Sequence, residues 1–243
     1  MKKTTLTLLS LALCLSCLIA QPNHQSFGKL LRKHVTEEGS VKYRDLVKDK
    51  KKLENYIQDL SQNAPQPNWS KDEKMAYWIN AYNALTLATM CQNYPLNNVY
   101  TFDNGDFFKK KTFKANQSMY SLDDIEHDIL RPMNDARIHC AINCAAKSSP
   151  ILNNFAYESA ALGNQLEYSS KRFIKQVVLK NFDGKKLCLP KVFEWYQSDF
   201  KDVNAFINRY AETRIPQNVV TTYLDYDWSL NDIDEMALGK AKK

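Results

Sequence analysis

The stretch from Ser70 to Asn93 constrains this chain most. Ser70 with Glu73 three residues later is a capping box, and it opens the longest apolar-periodic segment, about Lys71 to Asn93. At 100° per residue, Met75, Trp78, Ile79, Tyr82, Leu85, Thr86, Thr89 and Met90 cover one broad side of a helix. Ala81, Ala84 and Ala88 cover the other, where a neighbouring element can approach closely. A helix apolar nearly all round is buried nearly all round, so the rest of the chain has to wrap it. Asn80 and Asn83 lie in or beside this surface. A buried amide without partners costs about 1–3 kcal/mol, so both are expected to be hydrogen-bonded. They either tie down neighbouring loops or orient a catalytic group or a substrate carbonyl.

Other elements rest on shorter signals. A helix is expected around Phe27 to Val35, a short extended piece at Val41-Lys42-Tyr43, then a helix from Asp45 to Leu60. Residues 94–120 read as loop and hairpin. A second capping box, Ser121 with Asp124, opens a short helix that runs to about Leu130 and is stopped by Pro132. Ile138, Cys140 and Ile142 alternate with Arg137, His139 and Asn143, which predicts a buried strand over 136–142. Beyond it, a helical stretch from about Asn154 to Gln176 precedes an Asp183-Gly184 turn joining Val177–Phe182 to Lys186–Leu189 as a hairpin. A helix from Val192 to Tyr210 and an extended Val219–Tyr226 close the pattern. The expected class is α+β, a helix-dominated single domain with a long central buried helix and a small, mostly antiparallel sheet.

The N-terminus reads as a secretory signal peptide over residues 1–20. Met1-Lys2-Lys3 is a basic start, Leu6 to Ala20 is apolar but too short for a comfortable membrane span, and Gln21-Pro22-Asn23 comes next. The implied destination is periplasmic or secreted. Lipid attachment at Cys17 is the alternative, although Cys14 and Leu15 upstream of Ser16 make a poor lipoprotein box. Residues 21–40 then form a leader with a helix, 41–232 a single globular domain, and 233–243 a polar tail. No later segment is apolar enough to cross a bilayer. Removing Lys2 and Lys3 lowers the formal charge of +6 by two. The runs Lys50-Lys51-Lys52 and Lys109-Lys110-Lys111 lack interleaved aromatic residues, which argues against nucleic acid as a partner. Cys91, Cys140, Cys144 and Cys188 outlast cleavage and read as mostly free thiols.

Chemistry concentrates around the second capped helix and the segment after it. Leu122, Ile125, Ile129 and Leu130 define the helix's apolar face, and Glu126 falls inside that arc, about 40° from Leu122. His127 falls on its flank. A carboxyl group on a buried face needs a cation or donor, and Arg131, Arg137 and His139 are the available partners. Either it clamps helix to strand or it orients an imidazole, as the acid does in a nucleophile–base–acid triad. Cys144 either packs as a small hydrophobe or acts as a nucleophile, with His139 or His127 as base. His139 and Cys144 are five positions apart, so they meet only if the backbone turns between them. A metal site drawing on Glu126, His127, His139 and Cys144 has the right ligand types but none of the usual spacings, so no metal and no other cofactor is expected.

Several blocks together resemble the family called Domain of Unknown Function 547. They are Trp78-Ile79-Asn80-Ala81-Tyr82-Asn83-Ala84-Leu85-Thr86, Ser121-Leu122-Asp123-Asp124-Ile125-Glu126-His127 with Leu130-Arg131, Arg137-Ile138-His139, and Asn143-Cys144-Ala145. Trp195-Tyr196 with Asp199-Phe200, and Tyr226-Asp227-Trp228-Ser229-Leu230-Asn231-Asp232, complete the set. The resemblance spans roughly Val41 to Asp232 and implies a single domain similar to exported bacterial members, with no reaction attached. The family pattern has a cysteine where this chain has Ser149, which argues against an obligatory cysteine pair. By the same resemblance Asn80, Asn83, Glu126, His127 and His139 are the polar candidates, and Trp195, Tyr196 and Asp199 line or support a cleft. The leading expectation is a thiol-dependent hydrolase or acyl-transfer enzyme acting on a peptide or other carbonyl compound. Cys144 would attack, His139 or His127 would be the base, Glu126 would orient it, and Asn80 or Asn83 would polarise the carbonyl. The rival is a non-catalytic binding domain whose polar cluster is structural.

Overall fold

The computed structural model describes residues 21–234. The signal-peptide reading of 1–20, the Cys17 alternative and most of the polar tail lie outside those residues. The element order is α1 (His24–His34), α2 (Tyr43–Leu46), α3 (Lys50–Gln62), α4 (Lys71–Asn93), β1 (Phe113–Ala115), β2 (Ser118–Tyr120), α5 (Leu162–Phe173), β3 (Lys186–Leu189), α6 (Val192–Trp195), α7 (Gln197–Phe200), α8 (Val203–Tyr210) and β4 (Val220–Tyr223). The class is α+β and helix-dominated, as expected. Its strands form two separate pairs, β1 with β2 antiparallel and β3 with β4 parallel.

Helix α4 is the axis. Its capping box is complete, with Glu73 N–H donating to Ser70 Oγ at 3.2 Å and Ser70 N–H to Glu73 Oε2 at 2.6 Å. Met75, Ile79, Ala81, Ala84 and Met90 are fully buried, and the burial runs right round the helix. The Trp78 ring takes Tyr120 and Phe113 edge-on, which fixes the β1–β2 hairpin against the axis. Helix α3 packs along α4, joined by the Tyr77 hydroxyl donating to Leu60 O. The leader is part of the same packing: Phe27, Leu30 and Leu31 of α1 are buried, and Phe27 stacks on Tyr56.

A second hydrophobic cluster gathers Cys140, Phe173, Ile174, Val178, Leu187, Phe193, Phe200 and Ile207. Segment 136–142 runs between the two clusters, with Ile138 in the first and Cys140 in the second. The strand expected there is absent. Ala136–Cys140 is a 3-10 helix whose N-cap, Asp135, accepts from Arg137 N–H. The alternation misleads because a single turn lodged between two cores buries Ile138, His139 and Cys140 in succession. Two further expectations change. The first arm of the hairpin, Val177–Phe182, is mostly helical, because α5 continues as a π-helix over Ile174–Val178 and a 3-10 turn over Leu179–Asn181. The expected Val192–Tyr210 helix is broken into α6, α7 and α8. Lys201 adopts φ of 60°, a left-handed conformation no helix continues through, and Asp202 caps α8 afresh.

Candidate functional site: a thiol and an imidazole on one cavity

The second capping box forms as read. Ser121 N–H donates to Asp124 Oδ2 and Asp124 N–H to Ser121 Oγ. The helix it opens is wider than an α-helix: Asp124–Leu130 is a π-helix, ended by a 3-10 turn over Arg131–Met133 that contains Pro132. Ile125 and Leu130 anchor it to α4, Glu126 is 8% exposed, and His127 is exposed. Arg131, at its end, forks onto Asp199 of α7, with Nε to Oδ2 at 2.6 Å and an amino nitrogen to Oδ1 at 2.9 Å.

The Cys144 loop is built by one side chain. Asn143 accepts from Ala145 N–H at 2.8 Å and donates to Pro150 O at 2.6 Å, drawing 143–150 into a closed turn. This turn holds Ala145 at φ of 70°, a left-handed conformation that costs a non-glycine residue roughly 1–2 kcal/mol. Ala145 and Ala146 are small because the segment from Trp228 to Asp232 crosses behind them. Ala146 bridges to Leu230, and Asn231 N–H donates to Ala145 O. Ahead of the turn, Asn83 on α4 accepts from Asn143 N–H at 2.9 Å and donates to Ala141 O at 3.0 Å. Asn80 grips Tyr157 in the same two-handed way. Each amide is therefore tied to backbone through its oxygen and one of its N–H groups, the loop-tying use.

Cys144, His139, Glu126, His127, Trp195 and Tyr196 all line one cavity of about 170 Å³, together with Tyr82, Phe108, Tyr226 and Trp228. The structure thus brings together six of the residues singled out from sequence, while Asp199 supports the cavity from behind. His139 is fully buried and stacks on Tyr196 at 4.2 Å. Its Nε2 donates to Asp199 Oδ2 at 2.8 Å, and its Nδ1 has no hydrogen-bond partner among the described residues. Asp199, not Glu126, is the acid on the imidazole. Glu126 instead acts on the Tyr82 and Tyr196 hydroxyls. Burial first, then the Glu126 carboxylate, raises both phenols well above their ordinary range. His127 Nδ1 accepts from Arg131 at 3.0 Å.

The sulfur of Cys144 lies 3.2 Å from the Tyr226 hydroxyl, and Cys144 N–H donates to Ser149 Oγ. Burial pushes the thiol up, while the Ser149 and Tyr226 hydroxyls and Ala146 N–H act in the opposite direction by favouring the thiolate. Burial also lowers His139, outweighing the Asp199 hydrogen bond and the Glu126 and Asp199 charges that raise it. Asp199 itself is held well below the usual carboxylate range, chiefly by Arg131. Cys91, Cys140, Cys144 and Cys188 are all free. Among the described residues no group of His, Cys, Asp and Glu gathers as a metal cluster. Tyr226, Ser149 and Trp228 join the site without being candidates from sequence. Their signal lies in the Tyr226–Asp232 block and in Ser149 replacing a cysteine.

The fold and this cavity define a helix-dominated α+β domain presenting a thiol and an imidazole on a common aromatic pocket. Residues 66–174 match the family described as "Protein of unknown function, DUF547", a stretch that holds α4, the π-helix, His139 and Cys144. That match supports the family resemblance, while the Trp195–Asp199 and Tyr226–Asp232 blocks lie beyond it. No curated protein and no solved structure matches the chain. No described helix is long and apolar enough to cross a membrane.

Proposed function

We propose that this protein is an exported, thiol-dependent enzyme of the hydrolase or acyl-transfer type, similar to bacterial members of the family, with Cys144 as nucleophile and the His139–Asp199 pair as base. One observation carries the reading: sulfur and imidazole line the same cavity, and the imidazole has Nε2 held by a carboxylate and Nδ1 left over. Sγ bonds to the carbonyl carbon of the substrate as the thiol proton passes to His139 Nδ1. The carbonyl π pair moves onto oxygen. Its return expels the leaving group, which takes the proton from Nδ1. Water, or a second nucleophile in a transferase, then attacks the acyl carbon as His139 accepts its proton, and the C–S bond breaks with that proton returning from His139 to sulfur.

Burial favours the neutral form of both partners, so proton transfer accompanies attack instead of preceding it. The sulfur is engaged by Tyr226; catalytic hydrogen bonds commonly tighten only with substrate bound. The Tyr226 and Ser149 hydroxyls and Ala146 N–H, which already favour charge on sulfur, are the donors placed to stabilise an oxyanion nearby. Glu126 acts through the tyrosines it polarises.

The test is acylation by an activated thioester followed by peptide mass mapping. The expected result is an acyl group on Cys144, its loss in Cys144→Ala, and a rate lower by roughly 100-fold or more in His139→Ala. Modification of Cys144 only after unfolding refutes the reading. The Cys144–Tyr226 contact and the raised thiol favour a second reading, a binding pocket without turnover. Under that reading the well-folded Cys144→Ser variant keeps its biological phenotype. Export rests on the basic start and apolar run of residues 1–20. Terminal sequencing of protein recovered from cells is expected to start at Gln21, and retention of Met1 refutes it.

A further inference from the structure

The cavity carries a feature that a nucleophile and base do not need. Six aromatic side chains line it, Tyr82, Phe108, Trp195, Tyr196, Tyr226 and Trp228, and its acidic groups are Asp123 and Glu126. Neither lysine nor arginine is among its lining residues. Trp195, Tyr226 and Trp228 pack into one aromatic wall, with ring centroids 4.4–6.3 Å apart. Glu126 is 8% exposed, and among the described residues no basic side chain forms an ion pair with it. Arg131 acts on it through space, but the guanidinium is forked onto Asp199. Of the lining histidines, His139 is held toward its neutral form by burial, and His127 faces Arg131 through Nδ1.

A buried carboxyl group held by the Tyr82 and Tyr196 hydroxyls, on an aromatic-lined cavity with no lysine or arginine on its lining, leaves room for a ligand cation. Such a lining suits a ligand that brings a positive charge into the cavity. Ring faces attract cations through their quadrupole, most strongly where water is excluded. A carboxylate adds the countercharge and disfavours acidic ligands. The volume of about 170 Å³ is below the roughly 300–1,000 Å³ of pockets for drug-sized molecules, which suits a compact head group.

We infer that the cavity binds an alkylammonium group, a quaternary or lysine-like amine, through Glu126 and the Trp195–Tyr226–Trp228 wall. The inference rests on the functional reading of this cavity and names the substrate class: an acyl compound carrying a cationic head. It does not need the sulfur to react, so the two are separable by experiment.

Choline and its neutral carbon isostere dimethylbutanol are titrated into the full-length protein and into Cys144→Ala, with tryptophan fluorescence and calorimetry as readouts. Choline is expected to bind both proteins at least tenfold more tightly than the isostere. Glu126→Gln and, on the half-exposed edge, Trp195→Ala each weaken choline by roughly tenfold while leaving the isostere nearly unchanged. Trp195 is 48% exposed, so its replacement tests the wall without challenging the fold. Equal binding of choline and isostere, no binding of choline at up to about 100 mM, or choline binding indifferent to both substitutions overturns the inference. Choline binding retained alongside an unreactive Cys144 leaves this inference standing and removes only the thiol chemistry.

Discussion

Asn83→Ala is the sharpest test of how the central helix positions the sulfur. Asn83 donates to Ala141 O and accepts from Asn143 N–H, bracketing the segment that leads into the Cys144 turn. The side chain is 3% exposed, so no water replaces it without rearrangement. Truncation strands one carbonyl and one N–H, at about 1–3 kcal/mol each, for a total of about 2–6 kcal/mol. Asn80→Ala strands the equivalent groups of Tyr157 and is expected to cost a similar amount. The two variants therefore match in urea denaturation and separate in chemistry. Asn83→Ala frees the start of the 143–150 turn and changes the alkylation rate of Cys144, measured by mass spectrometry on folded protein. Asn80→Ala, gripping a loop whose Tyr157 does not line the cavity, leaves that rate within about twofold. An unfolding free energy for Asn83→Ala within about 0.5 kcal/mol of the parent, or equal reactivity changes in both variants, refutes the reasoning.

The same geometry sets other outcomes. Burial holds His24 down at about 4 and lowers His139, whereas an unfolded histidine titrates near 6.5. Below pH ~6.5 the unfolded chain binds more protons, so stability falls as pH drops from there through the folded values, by at most ~1.4 kcal/mol per pH unit for each histidine. His139→Gln flattens part of that slope in denaturation titrations between pH 7 and 4, and an unchanged slope counts against it. Tyr226→Phe removes a donor to sulfur and is expected to move the pH profile of Cys144 alkylation upward; Cys91 and Cys140, buried and pushed up to about 12, serve as silent controls. A downward movement contradicts the role given to the hydroxyl. Asp199→Ala leaves Arg131 and His139 without their acceptor and costs up to the roughly 3–5 kcal/mol of a broken buried pair, discounted because Arg131 is 28% exposed. Arg131→Met with Asp199→Leu recovers part of it, and no recovery in unfolding midpoints argues against direct coupling.

Much of this is legible in the amino-acid sequence alone. Periodicity and two capping boxes locate α4 and the Ser121 helix, because those signals are local and each rests on a few residues. The candidate cluster of Glu126, His127, His139 and Cys144 does share a cavity, since Glu126 on an apolar face has to meet something polar. Helix type and acid identity are hidden. Period-2 patterning over 138–142 cannot tell a strand from a turn buried on several sides by two cores. Asp199 lies 60 residues from His139, and only the breaks at Tyr196 and Lys201 bring it round. The same breaks turn an apparent single helix into three. The use of Asn83 stays open from sequence, because an amide's partners across 60 residues depend on the whole fold.

The segment from Trp228 to Asp232 has a consequence for the order of manufacture. It bridges to Asn98, Ala146 and Val41, stitching together parts of the chain made long before it. During synthesis, the sulfur-bearing turn therefore waits for this later segment to leave the ribosome before its backing arrives. A chain cut short before Trp228 lacks the bridges to Val41, Asn98 and Ala146, and the turn around Cys144 loses its backing.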